Sequence, residues 1–104
     1  MFKMIFVNLP VSNLKRSVDF FTELGFTFNP QFTDETSTCM IVSDSIYVML
    51  LEKAKFASFI TKKIAEPDTT EAILSFSCDS PEQVRELSEK AFALGAKKVN
   101  EAED

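Results

Sequence analysis

The sequence contains no histidine among its 104 residues. Histidine is the commonest general base near neutral pH and the commonest protein ligand for metals. Its absence excludes Ser–His and Cys–His catalytic pairs. Any catalysis by this chain must therefore use other side chains.

Cysteine is scarce as well. The sequence has two, Cys39 and Cys78, which lie far apart and form no CxxC motif. Two isolated thiols are typical of a reducing compartment, so we expect a cytoplasmic protein with both thiols reduced. Since no histidine can activate a thiol, each cysteine is predicted to be a small core residue and not a nucleophile.

Basic residues and long apolar runs are also in short supply. Acidic residues outnumber basic ones by 16 to 11, which gives a formal net charge of −5. Nucleic acid binding needs clustered Lys and Arg, so no such partner is expected. No apolar run approaches the roughly 18 residues of a membrane span. The short apolar start is interpreted as a first strand and not a signal peptide, so no membrane partner is expected.

Apolar residues make up 45% of the chain, which is enough for the core of a single small domain. The segment from Met4 to Leu9 fits a mostly buried strand that ends at Pro10. Ser12 or Asn13 can cap the helix that follows, and Gly25 is placed to end it. The apolar stripe of this helix consists of Leu14, Val18, Phe21 and Leu24.

Three further strands are predicted before residue 53. Phe26 to Phe28 forms a short strand, and Ser37–Val42 and Ile46–Leu51 form a hairpin around the turn at residues 43–45. Residues 1–52 are thus predicted as a strand-helix-strand-strand-strand module. A helical linker follows over residues 53–70, with its helix over Lys53–Ile64 and its lysines on a solvated face.

The last third repeats the first part of this pattern. Ala72–Cys78 alternates like a strand. Ser80 and Pro81 form a strong helix start, and Gly95 ends the helix 70 residues after Gly25. We predict a tandem repeat whose second copy, residues 71–104, lacks the final strands of the first; Lys97–Asn100 can begin one more strand.

The opening motif resembles that of the vicinal oxygen chelate superfamily, which includes glyoxalase I, bleomycin-resistance proteins and extradiol dioxygenases. The matching residues are Val11 to Ser17 (VSNLKRS), Asp19-Phe20-Phe21 and Leu24-Gly25-Phe26. The chain looks most similar to bacterial proteins described as predicted lactoylglutathione lyases. The resemblance implies an α+β fold of paired βαβββ modules, here with a truncated second module, whose curved sheets enclose a ligand cavity.

Metal-using members of that superfamily place His, Gln or Glu at matching strand positions. On this chain those positions fall on Phe6, Leu50 and Ile73, which cannot coordinate a divalent ion. A shift of two residues would instead select Asn8, Glu52 and Ser75, of which only Glu52 is a good ligand. We therefore predict neither a bound metal nor another cofactor.

The predicted function is metal-free binding of a small molecule in the sheet-lined cavity, and the alternative is a metal-dependent lyase or dioxygenase with atypical ligands. Asn8 and Ser75 are expected to face an open groove, although the same residues could instead fill a closed core. Whether any catalysis occurs stays open. The predicted ligand-binding residues are Phe6, Asn8, Val48, Leu50, Glu52, Ile73 and Ser75.

A truncated second module would leave an open sheet edge, and open edges pair or aggregate. A two-stranded sheet is also marginal by itself. The resemblance favours modules that pair across an interface, so we expect a homodimer or a missing tail. A module that works mainly through dimerisation is a third functional hypothesis.

Overall fold

The computed structural model describes residues 1–96, which fall into two compact units, residues 1–71 and residues from 72 onward. The strand predicted at Lys97–Asn100 lies outside the described residues. The elements of the first unit are β1 (Ile5–Val11), α1 (Leu14–Glu23), β2 (Thr27–Asn29), a 3-10 turn (Pro30–Phe32), β3 (Ser37–Ile41), β4 (Ile46–Glu52) and α2 (Lys53–Ala57). The second unit contains α3 (Pro81–Ala93).

The strands of the first unit form one four-stranded sheet in the order β1-β4-β3-β2. β1 runs parallel to β4, whereas β3 is antiparallel to both of its neighbours. The predicted order of strand, helix, strand, strand, strand is confirmed, and the fold is α+β. Because α1 carries the chain from β1 across one face of the sheet, the first strand pairs with the last and not with the next.

Helix α1 begins where its sequence provides a cap. The side chain of Asn13, not Ser12, accepts a hydrogen bond of 3.0 Å from the amide of Arg16. The helix stops before Gly25, whose φ of +105° lies in the left-handed region that glycine adopts most easily. The chain can therefore turn directly into β2.

The core lies between α1 and one face of the sheet. Leu14 from the helix packs with Met40, Val48 and Leu50, which are 1–2% exposed. Burying one such side chain stabilises the fold by about 1.5–3 kcal/mol. The half-buried side chains around this cluster are Val7, Leu9, Val11, Val18, Phe21, Phe26, Phe28 and Val42.

The loop before β3 is organised by Asp34. Its Oδ1 accepts hydrogen bonds from the amides and hydroxyls of Thr36 and Ser37, at 2.8–3.1 Å. The Thr36 amide, followed by the hydroxyl of Ser37, holds the pKa of the Asp34 carboxyl below its usual range. This network fixes the point at which β3 enters the sheet.

The helix predicted over Lys53–Ile64 is wrong in length, because α2 ends at Ala57. The hydroxyl of Ser58 donates a hydrogen bond of 2.6 Å to the carbonyl of Lys55, which competes with helical hydrogen bonding. The β-branched Ile60 and Thr61 that follow are weaker helix formers. The chain continues as turns that remain beside the sheet.

In the second unit, the predicted helix is confirmed and the predicted strand is wrong. Ser80 accepts from the amide of Gln83, and the Gln83 side chain accepts from the amide of Asp79, which is a reciprocal cap. Residues 72–78 form no strand.

Among residues 1–96, no helix has both the length and the apolar character needed to cross a membrane.

We predict that Leu50→Ala lowers the free energy of unfolding by about 2–5 kcal/mol, because a fully buried leucine leaves a cavity when truncated. Urea denaturation followed by circular dichroism measures this change. Leu74→Ala is the matched control, because Leu74 is 41% exposed, and its cost should stay below about 1 kcal/mol. Equal effects of the two substitutions would contradict the position given to Leu50.

Candidate functional site

The sheet of the first unit has a second face, opposite α1. Successive side chains of a strand point to opposite faces, and residues paired in register share a face. Val7 pairs with Val48 on the core side, so Phe6, paired with Tyr47, lies on the other side. The rings of Phe6 and Tyr47 stack at 5.0 Å between centroids, which is consistent with this assignment.

Part of this second face forms a groove. Two of its residues come from the sheet, Asn8 on β1 and Leu51 on β4, and three come from α2 and the turn after it, Phe56, Phe59 and Ile60. The groove has a volume of about 500 Å³, which is within the range of small-molecule sites. It exists because the short helix α2 follows β4 directly and places its aromatic residues beside the sheet.

Among the described residues that line the groove, Asn8 has the one polar side chain. It is exposed, and its amide makes no hydrogen bond to another side chain or to the backbone within residues 1–96. Asparagine is disfavoured in strands, which makes its position inside the apolar run Ile5–Val11 unusual. The amide can both donate and accept a hydrogen bond, so it can anchor a ligand in the groove.

The apolar side of the groove is open to solvent. The side chain of Phe59 is 68% exposed and that of Ile60 is 36% exposed. The ammonium of Lys55 lies 5.5 Å from the centroid of the Phe59 ring, at cation–π distance. Exposed aromatic groups beside an amide without a protein partner are typical of a binding surface, since a ligand can cover the apolar area and replace the water at the amide.

A second, smaller pocket of about 220 Å³ lies where Pro10, on the same face of β1 as Asn8, meets the segment after α2. Its lining includes Lys53 and the acidic residues Glu66 and Glu71. Phe6 lies two residues from Asn8 in the other direction, about 6.6 Å along the strand. The two pockets and the exposed ring of Phe6 thus lie along the same face of β1.

The structure brings together only two of the predicted ligand-binding residues on this face, Phe6 and Asn8. The expectation that Val48 and Leu50 share their face is wrong, because both are 1% exposed and belong to the core beneath α1. Glu52, two residues further along β4, pairs with Val11 of the core side. A register difference of one residue moves every side chain of a strand to the other face.

The remaining predicted residues, Ile73 and Ser75, belong to the second unit. Both are exposed and lie in the segment that forms no strand. Their part in ligand binding stays a prediction.

Sequence reasoning missed the β4 side of the second face, which consists of Tyr47, Met49 and Leu51. The run Ile46–Leu51 is apolar throughout, so its pattern does not indicate which of its side chains face the core. The pairing of β1 with β4 decides this, and it is not visible in the sequence. The sequence predicts Phe56, Phe59 and Ile60 within one helix over Lys53–Ile64. Their true position follows from the early end of α2.

The resemblance of the opening motif implies a metal site, but the side chains at the matched positions are poor ligands. Phe6 and Leu50 provide no donor atoms, and Asn8 and Glu52 lie on strand positions of opposite face. No group of three His, Cys, Asp or Glu side chains within residues 1–96 is arranged to hold a metal ion. The residues at the matched positions therefore do not fit a divalent metal.

The cysteines do not supply a nucleophile to the groove. Cys39 is 1% exposed on β3, and burial raises the pKa of its thiol. A raised pKa reduces the thiolate fraction at neutral pH, and the thiolate is the reactive form. Cys39 is therefore a small buried residue and not a nucleophile, although its pairing with Met49 places it on the second face of the sheet and not beneath α1. Cys78 is a half-buried residue of the second unit.

Comparisons with known proteins agree with this geometry. Residues 3–43 match the family model described as bleomycin resistance protein-like N-terminal. A hypothetical protein, SA1046 from S. aureus, has a similar structure with a TM-score of 0.71 and 26% sequence identity, and the alignment covers 91% of this chain and 72% of that one. No match was found among curated proteins.

A second solved structure is similar as well. It is a glyoxalase/bleomycin resistance protein/dioxygenase family enzyme from Burkholderia phytofirmans PsJN, with a TM-score of 0.70 and 18% identity over 86% of this chain and 71% of that one. At this identity the likeness shows the fold alone. This fold agrees with the match of residues 3–43 to the bleomycin resistance protein-like N-terminal model.

Proposed function

We propose that this member of the glyoxalase/bleomycin resistance/dioxygenase superfamily binds a small molecule without a metal ion, in the groove on the open face of its first sheet. The observation that carries the proposal is the unpartnered amide of Asn8 in a groove whose other lining residues are apolar. A site of this composition gains affinity from apolar burial and orientation from one hydrogen-bonding group.

Binding in this groove needs no rearrangement of the core. Asn8 and Leu51 belong to strands whose opposite side chains pack under α1, so the sheet holds them at fixed positions. Phe59 and Ile60 lie on the turn after α2 and are more exposed, so they can adapt to a bound molecule. Because the sheet residues of the groove are fixed and its aromatic residues can move, we expect the groove to accept ligands of different shapes.

A metal-dependent lyase or dioxygenase would need donor atoms that converge on one point, because the metal stabilises the negative charge that develops on substrate oxygen. Asn8 and Glu52 do not provide such a set, since they alternate to opposite faces. The donor chemistry of the groove therefore favours binding over metal-assisted catalysis.

The edge of the sheet also bears on function. β1 is an edge strand of seven residues, and Ile5 and Phe6 near its start are about half exposed. A long apolar edge strand offers unpaired backbone groups to another chain. We therefore include in the proposal a homodimer in which a second copy covers this edge.

We predict that the neutral fluorescent probe N-phenyl-1-naphthylamine binds the groove saturably, with one site per chain. Phe59→Ala should weaken its binding by about three- to tenfold, because it removes exposed aromatic area that the probe would cover. Phe2→Ala is the matched control, since Phe2 is 95% exposed near the N-terminus, and its affinity should be unchanged. Absence of saturable binding, or equal effects of both variants, contradicts the groove assignment.

We predict that the purified protein contains no stoichiometric divalent metal, because the matched positions lack donor atoms. Elemental analysis of the protein as isolated and after exposure to Zn²⁺, Ni²⁺, Fe²⁺ or Mn²⁺ measures this. Near one metal per chain, lost in Glu52→Gln, would restore the lyase or dioxygenase hypothesis.

We predict that the protein sediments as a dimer at micromolar concentration. Replacing Ile5 by Lys places a charge at the exposed edge and should shift the equilibrium to monomer. Analytical ultracentrifugation over a dilution series checks this. A monomer of unchanged sedimentation coefficient at all concentrations would remove the dimer from the proposal.

A further inference from the structure

The segment that forms one side of the groove has an unusual charge. Residues 53–63 contain four lysines and no acidic residue. The other 93 residues carry seven basic and sixteen acidic side chains. A positively charged segment thus flanks the groove in a protein whose remaining charge is strongly negative.

Lys55 is a lysine that the structure places against a residue of the groove lining. Its ammonium lies 5.5 Å from the centroid of Phe59, which is a lining residue. Within residues 1–96 it forms no salt bridge; the salt bridge found there joins Lys15 to Asp19 on α1. The charge of Lys55 is therefore available to an anionic group at the rim of the groove.

Among residues 1–96, the lining contains no charged side chain, since its members there are Asn8, Leu51, Phe56, Phe59 and Ile60. An anion buried deep in such a lining would lose hydration without a counter-charge. An anion at the rim would keep part of its hydration and still interact with Lys55. The composition thus separates an apolar, aromatic interior from a cationic rim.

We propose that the groove selects a planar aromatic molecule that carries one anionic group. The aromatic body lies on Phe59 and Ile60, a polar atom of the ligand bonds to the amide of Asn8, and the anionic group faces the ammonium of Lys55. The proposal rests on the proposed small-molecule function and adds the chemical class of the ligand. Charge complementarity carries it, because an anion is repelled by most of this protein but attracted at this rim.

Two fluorescent probes with the same ring system test the selection. 8-Anilino-1-naphthalenesulfonate carries a sulfonate, and N-phenyl-1-naphthylamine is its uncharged counterpart. The sulfonate should bind the wild-type chain more tightly than the amine. Lys55→Gln should lower the affinity for the sulfonate by about two- to fivefold, which is the range of a solvent-exposed ion pair, and should thereby reduce the ratio of the two affinities.

Lys15→Gln is the matched control, because it removes the same charge from α1 on the opposite face of the sheet, and it should preserve the ratio. Asn8→Asp provides an independent test, because a carboxylate in the groove repels the sulfonate and should reduce the ratio further. In the ¹H–¹⁵N spectrum, the side-chain amide signals of Asn8, assigned with Asn8→Ser, should shift when either probe is added.

The outcomes separate the two proposals. If both probes bind at Asn8 with a ratio that neither Lys55→Gln nor Asn8→Asp changes, the anionic selection is wrong and the groove remains a binding site. If neither probe moves the Asn8 signals, the small-molecule function itself is wrong. A ratio that falls in Lys15→Gln as much as in Lys55→Gln would assign the effect to net charge and overturn the role of Lys55.

Discussion

The parallel pairing of β1 with β4 is the constraint on which the rest of the first unit depends. It joins the first strand to the last, so the sheet of the βαβββ module is complete only when β4 pairs with β1. The register Val7 with Val48 and Leu9 with Leu50 assembles one apolar face for α1 to cover. The same register leaves Phe6, Asn8, Tyr47 and Leu51 on the face that forms the groove, so core and site are two consequences of one alignment.

Local signals in the sequence were sufficient for most of the elements. Asn13 and Ser80 cap their helices by bonding to amides three residues later, and Gly25 and Gly95 follow the helix ends with positive φ. These effects act within a few residues, which is why a single sequence reveals them. The face of β1 was also predictable, because Asn8 is the polar position in an otherwise apolar strand.

The site as a whole could not be predicted, since it depends on pairing between residues about 40 positions apart. β4 is apolar on both faces, so its sequence does not indicate which face packs under α1. Val48 and Leu50 were therefore expected to line the cavity, whereas in the structure they form the core. The groove also depends on the early end of α2 at Ala57. Among the described residues, no strand is found at Ala72–Cys78, where local alternation predicted one.

The chemistry of the groove follows from what the sheet can present there. A strand face offers one side chain every second residue, about 6.6 Å apart along the chain. On β1 that row is Phe6, Asn8 and Pro10, which contains a single hydrogen-bonding group and no charge. The sequence has no histidine, and the described residues of the groove lining include no acidic side chain. For these reasons we propose binding in this groove and not metal-assisted or general-base catalysis. Among the described residues, Lys55 on the adjoining helix brings a positive charge beside the lining residue Phe59. The ligand selection that we propose therefore depends on a segment outside the sheet, whereas the sheet determines the position of the groove.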